Sequence, residues 1–189
     1  MTENEQIAWE RFQTKPGPDL KLFQVRFDRM RNPRNGFTMQ ATVLESPDWV
    51  NVVALTPQEK LVVVQQYRFG THEITTEIPA GIVEAGETSR EAAARELKEE
   101  TGYTSTGWTY LGYVKPNPAF LDNRCHHWVA RNVVQTSPPE LDEGENLLVK
   151  EMSLAEIRQE IAEGRFRHSL AFTALAHLFD LRGLLVTDG

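Results

Sequence analysis

One cysteine, Cys125, stands in 189 residues. An internal disulfide is therefore excluded, and the thiol, set in the strand-like stretch NRCHHWVA, reads as a small packed side chain rather than a nucleophile. Long apolar runs are also missing: nothing approaches the roughly 18 residues that a membrane span needs, so no membrane role is expected. The opening MTENEQIAWERFQTK lacks the basic start and apolar core of a secretory signal, which leaves a cytoplasmic location as the expectation. Positive charge is scarce too. Lys and Arg number 20 against 27 Asp and Glu, for a net charge of −7. A chain so balanced has no basic stripe to track a nucleic-acid backbone, and an anionic ligand would need metal ions to be held. There is no repeat and no low-complexity tract, and the length is near that of one ordinary domain.

Alternation at period two marks residues 20–30 (LKLFQVRFDRM) and 37–45 (FTMQATVLE) as strands, joined through the turn-rich NPRNG into a small antiparallel sheet. The texture changes near residue 48. VNVVAL at 50–55, the turn TPQEK and LVVVQQYRF at 61–69 give two more strands, the second too apolar at its start to face water. HEITTEI at 72–78 stops at Pro79, and GWTYLGYV and CHHWVARNVV supply further strands. Two helices close the chain. Ser153 and Glu156 form a capping box before LAEIRQEIAEG, with Gly164 as its stop; Ser169 is placed to cap LAFTALAHLFDL, which runs to Arg182 and Gly183. Helices interspersed among strands without regular βαβ alternation predict an α/β protein in which helices pack on a mixed sheet. Residues 1–47 read as an N-terminal hairpin and dimerisation segment, and 48–189 as the main domain.

The most informative stretch is GIVEAGETSREAAARELKEETGY, residues 81–103. Between Gly81 and Gly86 no helical apolar face is present, which predicts a tight loop whose glycines permit positive φ and close backbone approach. Thr88 with Glu91 has capping-box spacing, the following run is built of strong helix formers, and Gly102 suits a C-terminal stop, so a helix is expected over about 89–101. Glu96, Glu99 and Glu100 then share one wall, with Ala93 and Leu97 on a neighbouring apolar stripe. Like charges at that spacing destabilise an isolated helix, and only Arg95 and Lys98 are at hand to offset them. A hard divalent cation is the natural compensation, because it takes carboxylate oxygens and leaves positions open for substrate phosphates. Glutamate-rich helices are also ordinary solvated faces. The whole pattern decides against that reading, since it would arise by chance on the order of once in 10⁷ chains.

That pattern, Gly-x5-Glu-x7-Arg-Glu-U-x-Glu-Glu-x-Gly-U with U bulky and apolar or aromatic, is met by Gly81, Glu87, Arg95, Glu96, Leu97, Glu99, Glu100, Gly102 and Tyr103 without a departure. It resembles the signature of the Nudix hydrolases. The resemblance implies an α/β/α sandwich with a mixed central sheet, here preceded by the small antiparallel sheet, and a Mg²⁺- or Mn²⁺-dependent enzyme using two or more ions. It implies metal ligation by Glu96 and Glu100, completed by Glu99 and the carbonyl of Ala80, with Arg95 orienting box carboxylates such as Glu84 or Glu87. EIPAG before the box and QQYR a strand earlier resemble the ADP-ribose and nucleoside-diphosphate-sugar pyrophosphatases, which puts Arg68, Glu77, Pro79 and Ala80 at the substrate. Pro118, beyond the box, matches a proline of that group. In the same subfamily an N-terminal segment crosses to a partner subunit, so a homodimer is expected.

A metal-bound diphosphate is open to attack by water, and the protein must supply a base. The acidic loop SPPELDEGENLL resembles the base-bearing loop of this subfamily, with Glu143 or Glu145 as the base and Glu140 as a third candidate. Phe27, Phe37 and Trp49 could stack on a nucleobase, although aromatics in strands are more often core. Arg26, Arg29 and Arg31 could reach a phosphate or remain solvated charge. His126 and His127, adjacent in a strand, point to opposite faces and cannot share a metal. The expected reaction is hydrolysis of ADP-ribose or a nucleoside diphosphate sugar to a nucleoside monophosphate and a sugar phosphate. Other nucleotides (a dinucleoside polyphosphate, NADH, coenzyme A) and a non-catalytic sensing module are the alternatives.

Overall fold

The computed structural model describes residue 2 and residues 6–179, in two compact units. One comprises the chain up to Pro47 with Lys115–Arg124; the other comprises Asp48–Val114 and the chain from Cys125 onward.

The first unit is a three-stranded antiparallel sheet of β1 (Glu10–Asp19), β2 (Gln24–Arg31) and β3 (Thr38–Glu45). β1 was not legible in the sequence, because Pro16, Gly17 and Pro18 interrupt it. An edge strand tolerates prolines that a central strand would not, and the pairing with β2 absorbs them as register shifts between Arg11 and Gln13 and between Pro16 and Asp19. The expected start of the next strand at residue 20 gives way to a turn closed by Leu20 N–H donating to the Phe23 carbonyl at 2.8 Å, with Lys21 at φ 67°. Arg26 is not solvated charge: it pairs with Asp28 at 3.1 Å and also with Glu45.

In the second unit, β4 (Trp49–Leu55), β5 (Leu61–Arg68), β6 (Glu73–Glu77) and β7 (Ala80–Ile82) precede α1 (Ser89–Thr101). After β8 (Tyr103–Thr104) come β9 (Gly107–Val114), β10 (Cys125–Arg131), β11 (Val134–Gln135), β12 (Leu147–Met152), α2 (Leu154–Ala162) and α3 (Ser169–Ala176). Seven of these strands form one sheet in the order β12-β5-β4-β10-β9, with β6 on β5 and β7 on β4, while β8 and β11 pair separately. β10 runs parallel to β4, and the other pairings are antiparallel, so the sheet is mixed.

Two cores follow from the alternation of the central strands. On one face Val50, Val52, Ala54 and Val62 pack with Ala92, Ala93 and Leu97 of α1; on the other, Val53, Leu61, Val63 and Val129 pack with Ile157, Phe166, Ala171, Ala174 and Leu175. This is the α/β/α layering that the resemblance implied. The capping box at Ser153 and Glu156 forms as expected. Ser169 does not cap α3: it is the first helical residue, and His168 takes the cap position without a side-chain hydrogen bond. The anticipated end of that helix at Arg182 and Gly183 lies outside the described residues. No helix among the described residues is long and apolar enough to cross a membrane.

The two adjacent histidines separate as strand geometry requires. His126 lies 3.1 Å from Asp48 and 2.9 Å from the Tyr110 hydroxyl, while His127 is fully buried with neither ring nitrogen bonded. Burial, with His177 and His126 nearby, pushes the His127 imidazole down to about 4. A base whose folded value lies below its unfolded value loses stability as pH falls, here from the unfolded value of 6.5 toward 4. Denaturant titrations at pH 7.5 and pH 5 should therefore show wild type losing about 2 kcal/mol more than His127→Leu.

Candidate active site

The box helix starts where Thr88 accepts the Glu91 N–H while the Glu91 carboxylate accepts the Thr88 N–H at 2.8 Å, so both partners of the capping box are satisfied. It ends at Gly102, which is left-handed at φ 75° and donates to the Lys98 carbonyl at 2.7 Å. A side chain at Gly102 would also overlap the Ser137 carbonyl, so two independent constraints select glycine. Burial of Ala92, Ala93 and Leu97 fixes the rotation of α1, which turns Arg95, Glu96 and Glu99 into a cleft of about 390 Å³. Ala80, Gly81, Ile82, Glu84, Glu140, Asp142 and Glu145 complete its walls.

Part of the expected loop at 81–86 is strand: β7 pairs with β4, setting Gly81 opposite Val50. Gly81 matters through close approach and not through positive φ: a Cβ there would push the Glu96 carboxylate from its place. The left-handed glycine of this segment is Gly86, at φ 86°.

Arg95 organises the acids around it. Its Nε and Nη2 donate to the two oxygens of Glu87, each at 3.0 Å; Nη1 donates to Glu96 at 2.8 Å and Glu99 at 3.0 Å; and Nη2 also reaches the Ile82 carbonyl at 2.9 Å. A guanidinium has five N–H donors, and these bonds occupy all of them. Glu87 is the forked partner, and its carboxyl is held below the usual range by that fork and by the Glu84 N–H. The charge on Arg95 is locked in by the same contacts.

Glu96 and Glu100 shift the other way from Glu87. Burial raises the Glu96 carboxyl, with Glu99 and Glu145 adding repulsion that Arg95 only partly offsets. Glu100 is 4% exposed, and burial lifts it well above the ordinary value despite a 3.0 Å hydrogen bond from the Ala80 N–H; Glu96 and Glu145 repel it further. The acids are thus crowded beyond what the protein's own cations neutralise. Among the described residues no three such side chains converge on one point, because Arg95 holds Glu96 and Glu99 and the Ala80 N–H holds Glu100. The donors are nonetheless adjacent, all oxygen and short of positive charge, which suits a hard divalent cation.

The acidic loop is carried to the cleft by the end of α1. Thr136 N–H donates to the Gly102 carbonyl at 2.9 Å, and Glu140 N–H to the Glu99 carbonyl at 2.8 Å. A turn in which the Glu145 carboxylate accepts the Asp142 N–H at 3.1 Å then faces both residues into the cleft. Glu140 and Glu145 line it, and Glu143 is exposed and does not. Asp142 is a cleft residue that sequence reasoning missed; its only signal was the turn-forming DEGE run.

Arg68 and Glu77 form a second fork, with Nε to Oε1 at 2.7 Å and Nη2 to Oε2 at 2.5 Å. Glu77 is 1% exposed, and the Thr75 hydroxyl also donates to it at 2.5 Å. Burial opposes ionisation of Glu77, but Arg68, His168 and Thr75 outweigh it, so its carboxyl stays below the ordinary range. Trp49 is half-buried at the start of β4. Phe27, half-buried in β2, and the exposed Pro118 belong to the first unit.

Comparison with known proteins agrees with this architecture. The NUDIX domain family matches residues 46–172. The chain is 35% identical over 159 residues, 84% of its length and 85% of the relative's, to a methanol dehydrogenase activator of Bacillus methanolicus. It is 36% identical over 121 residues, 64% of its length and 65% of the relative's, to an ADP-ribose pyrophosphatase of Bacillus subtilis (strain 168). A crystal structure of an ADP compounds hydrolase superposes with a TM-score of 0.77 at 24% identity, covering 93% of this chain and 95% of that one, which speaks for the fold. The chain belongs to the Nudix family. It is an enzyme of the Nudix hydrolase class.

Two substitutions test the geometry. Gly81→Ala should displace the Glu96 carboxylate and weaken Mn²⁺ binding by about 10- to 100-fold in a calorimetric titration, with the fold intact by circular dichroism. Arg95→Lys removes the fork to Glu87 and the bond to the Ile82 carbonyl, and chemical denaturation should show a loss of about 1–2 kcal/mol.

Proposed function

We propose that this chain hydrolyses the diphosphate of ADP-ribose and related ADP compounds, nucleoside diphosphate sugars among them, to a nucleoside monophosphate and a sugar phosphate. The observation that carries the reading is the cleft in which Glu96 and Glu99 face Glu145 and Asp142, with the buried Glu100 close enough to feel Glu96 and Glu145, and with too little positive charge to balance them. An anionic diphosphate enters such a site only together with cations. Kinship to a protein named for ADP-ribose supports the substrate class.

Glu96, Glu99, Glu100 and Ala80 would hold Mg²⁺ or Mn²⁺, two or more ions in this reading. The metal supplies charge neutralisation on the diphosphate and a more acidic attacking water. Arg95, with every donor engaged, does not touch substrate; it is a positioning residue that keeps Glu87, Glu96 and Glu99 in register. Arg68 differs. Two of its donors serve Glu77, the rest carry no partner among the described residues, and its side chain is 40% exposed, so it is suited to a phosphate oxygen. Glu77 is too enclosed to contact substrate and acts by aiming Arg68. Glu145 is preferred to Glu143 as the base, because only Glu145 lines the cleft and its charge is felt at Glu96 and Glu100. Trp49 is assigned to contact with the nucleoside or sugar. The reading includes a homodimer built through the first unit, whose Phe12, Phe37 and Met39 are exposed apolar side chains.

The kinship with a methanol dehydrogenase activator favours a second reading, in which the chain acts on behalf of a dehydrogenase. Adding the protein to a methanol dehydrogenase and following turnover, beside the hydrolysis assay, separates the two.

In that assay, phosphate released by a coupled phosphatase is followed for ADP-ribose, ADP-glucose, GDP-mannose, a dinucleoside tetraphosphate, NADH and coenzyme A. Mg²⁺-dependent turnover of the ADP sugars is expected. Glu100→Gln and Glu145→Gln should each lower kcat by about 10²- to 10⁴-fold while the fold persists. Tight nucleotide binding without any turnover would instead point to a sensor. Because Glu96 and Glu100 hold protons more tightly than ordinary carboxyls, Mg²⁺ affinity should weaken as pH falls below neutrality.

A further inference from the structure

Behind Arg68 and Glu77 lies a third group that neither the sequence pattern nor the box explains. His168, at the cap position of α3, has its Nδ1 buried and without a hydrogen bond, 3.7 Å from Glu77 Oε2, the same oxygen that accepts from Arg68 Nη2. The placement is held firmly. The Thr76 N–H donates to the Arg165 carbonyl at 2.9 Å, the Thr76 hydroxyl donates to Glu160 Oε2 at 2.6 Å, and Arg165 Nε and Nη2 both donate to Glu160 Oε1, at 3.0 and 2.6 Å. The connection from α2 to α3 is thereby pinned to β6, next to Glu77.

We infer that His168 is a positioning residue for Arg68, acting through Glu77, and that its proton tunes the hold of Arg68 on an anionic diphosphate. The inference rests on the reading that this cleft takes such a ligand. The physical argument is one of charge. Arg68 and Glu77 cancel, so with a neutral imidazole the trio carries no net charge, whereas a proton on His168 makes it positive. The imidazolium also competes with Arg68 for Oε2 and releases an N–H toward the ligand. The charged groups that act on His168 are Glu77 and Arg68, and the chain leading to it from α2 carries Glu160, Glu163, Arg165 and Arg167. Glu160, Glu163 and Arg165 are paired among themselves, and α3 contributes no charged residue over 169–176. Burial and Arg68 keep the imidazole neutral at neutral pH, against the pull of Glu77. Linkage is reciprocal: if the proton favours the anion, the anion must raise the proton affinity of His168.

The test uses the full chain loaded with Mg²⁺ and the non-hydrolysable α,β-methylene analogue of ADP-ribose. Calorimetry should show His168→Phe weakening binding by about fivefold at pH 5.5 and by less than about twofold at pH 8. In a Glu77→Gln background the same replacement should change affinity by less than about twofold, because the relay is already cut. His168→Asn, which keeps a neutral donor, guards against misfolding: it should bind like wild type at pH 8 and like His168→Phe at pH 5.5. In wild type, the imidazole resonance of His168 should titrate at higher pH with the analogue than without it. A pH-independent effect, full retention of the effect without Glu77, or an unmoved imidazole titration overturns the inference. Failure of wild type to bind the analogue at any pH overturns the substrate reading itself, and the inference with it.

Discussion

The five-donor clasp of Arg95 is the contact on which the rest of the site depends. A helix that carries Glu96, Glu99 and Glu100 on one wall repels itself, and no packing of Ala92, Ala93 and Leu97 against the sheet removes that repulsion. Arg95 answers it from within the same helix turn. By reaching back to Glu87 and the Ile82 carbonyl it also ties the helix to the segment that precedes it. The arrangement is undercompensated: Glu100 lies beyond the reach of Arg95, and burial with the nearby Glu96 and Glu145 lifts its carboxyl well above the ordinary value.

The sheet supplies the rigidity that such crowding needs. β7 adds to β4 so that Gly81 can lie flat against Glu96, and the tail of α1 grips residues 136–140 through the Gly102 and Glu99 carbonyls. Acids that are far apart in sequence, Glu96 and Glu145, therefore meet in one cleft. At β6 the Thr76, Glu160 and Arg165 cluster pins the connection that carries His168, and the neighbouring Glu77 holds Arg68 by a fork.

How much of this was legible depended on whether the determinant was local. The box helix was readable to its ends, because Thr88, Glu91 and Gly102 act within one turn of their own position. The seat of Gly81 was half readable: its need for space was clear, but a three-residue strand exists only because β4 offers a partner. β1 was hidden by Pro16 and Pro18, which only an edge position excuses. Ser169 looked like a cap by spacing alone, yet the chain turns into α3 one residue earlier, where the pinned connection from α2 sets the entry angle. Asp142 had no periodicity to betray it, since turns place side chains by backbone hydrogen bonds and not by repeat.

The sequence by itself determined the class of chemistry and the helix that carries it, since residue types at fixed helical spacing settle which carboxylates share a wall and how the helix is capped. Only the tertiary structure decided which of them is buried and holds its proton more tightly, which loop acid enters the cleft, and that Glu77 serves Arg68 and not the solvent. Those outcomes are set by desolvation and by partners brought from distant strands, and neither quantity is written in local spacing.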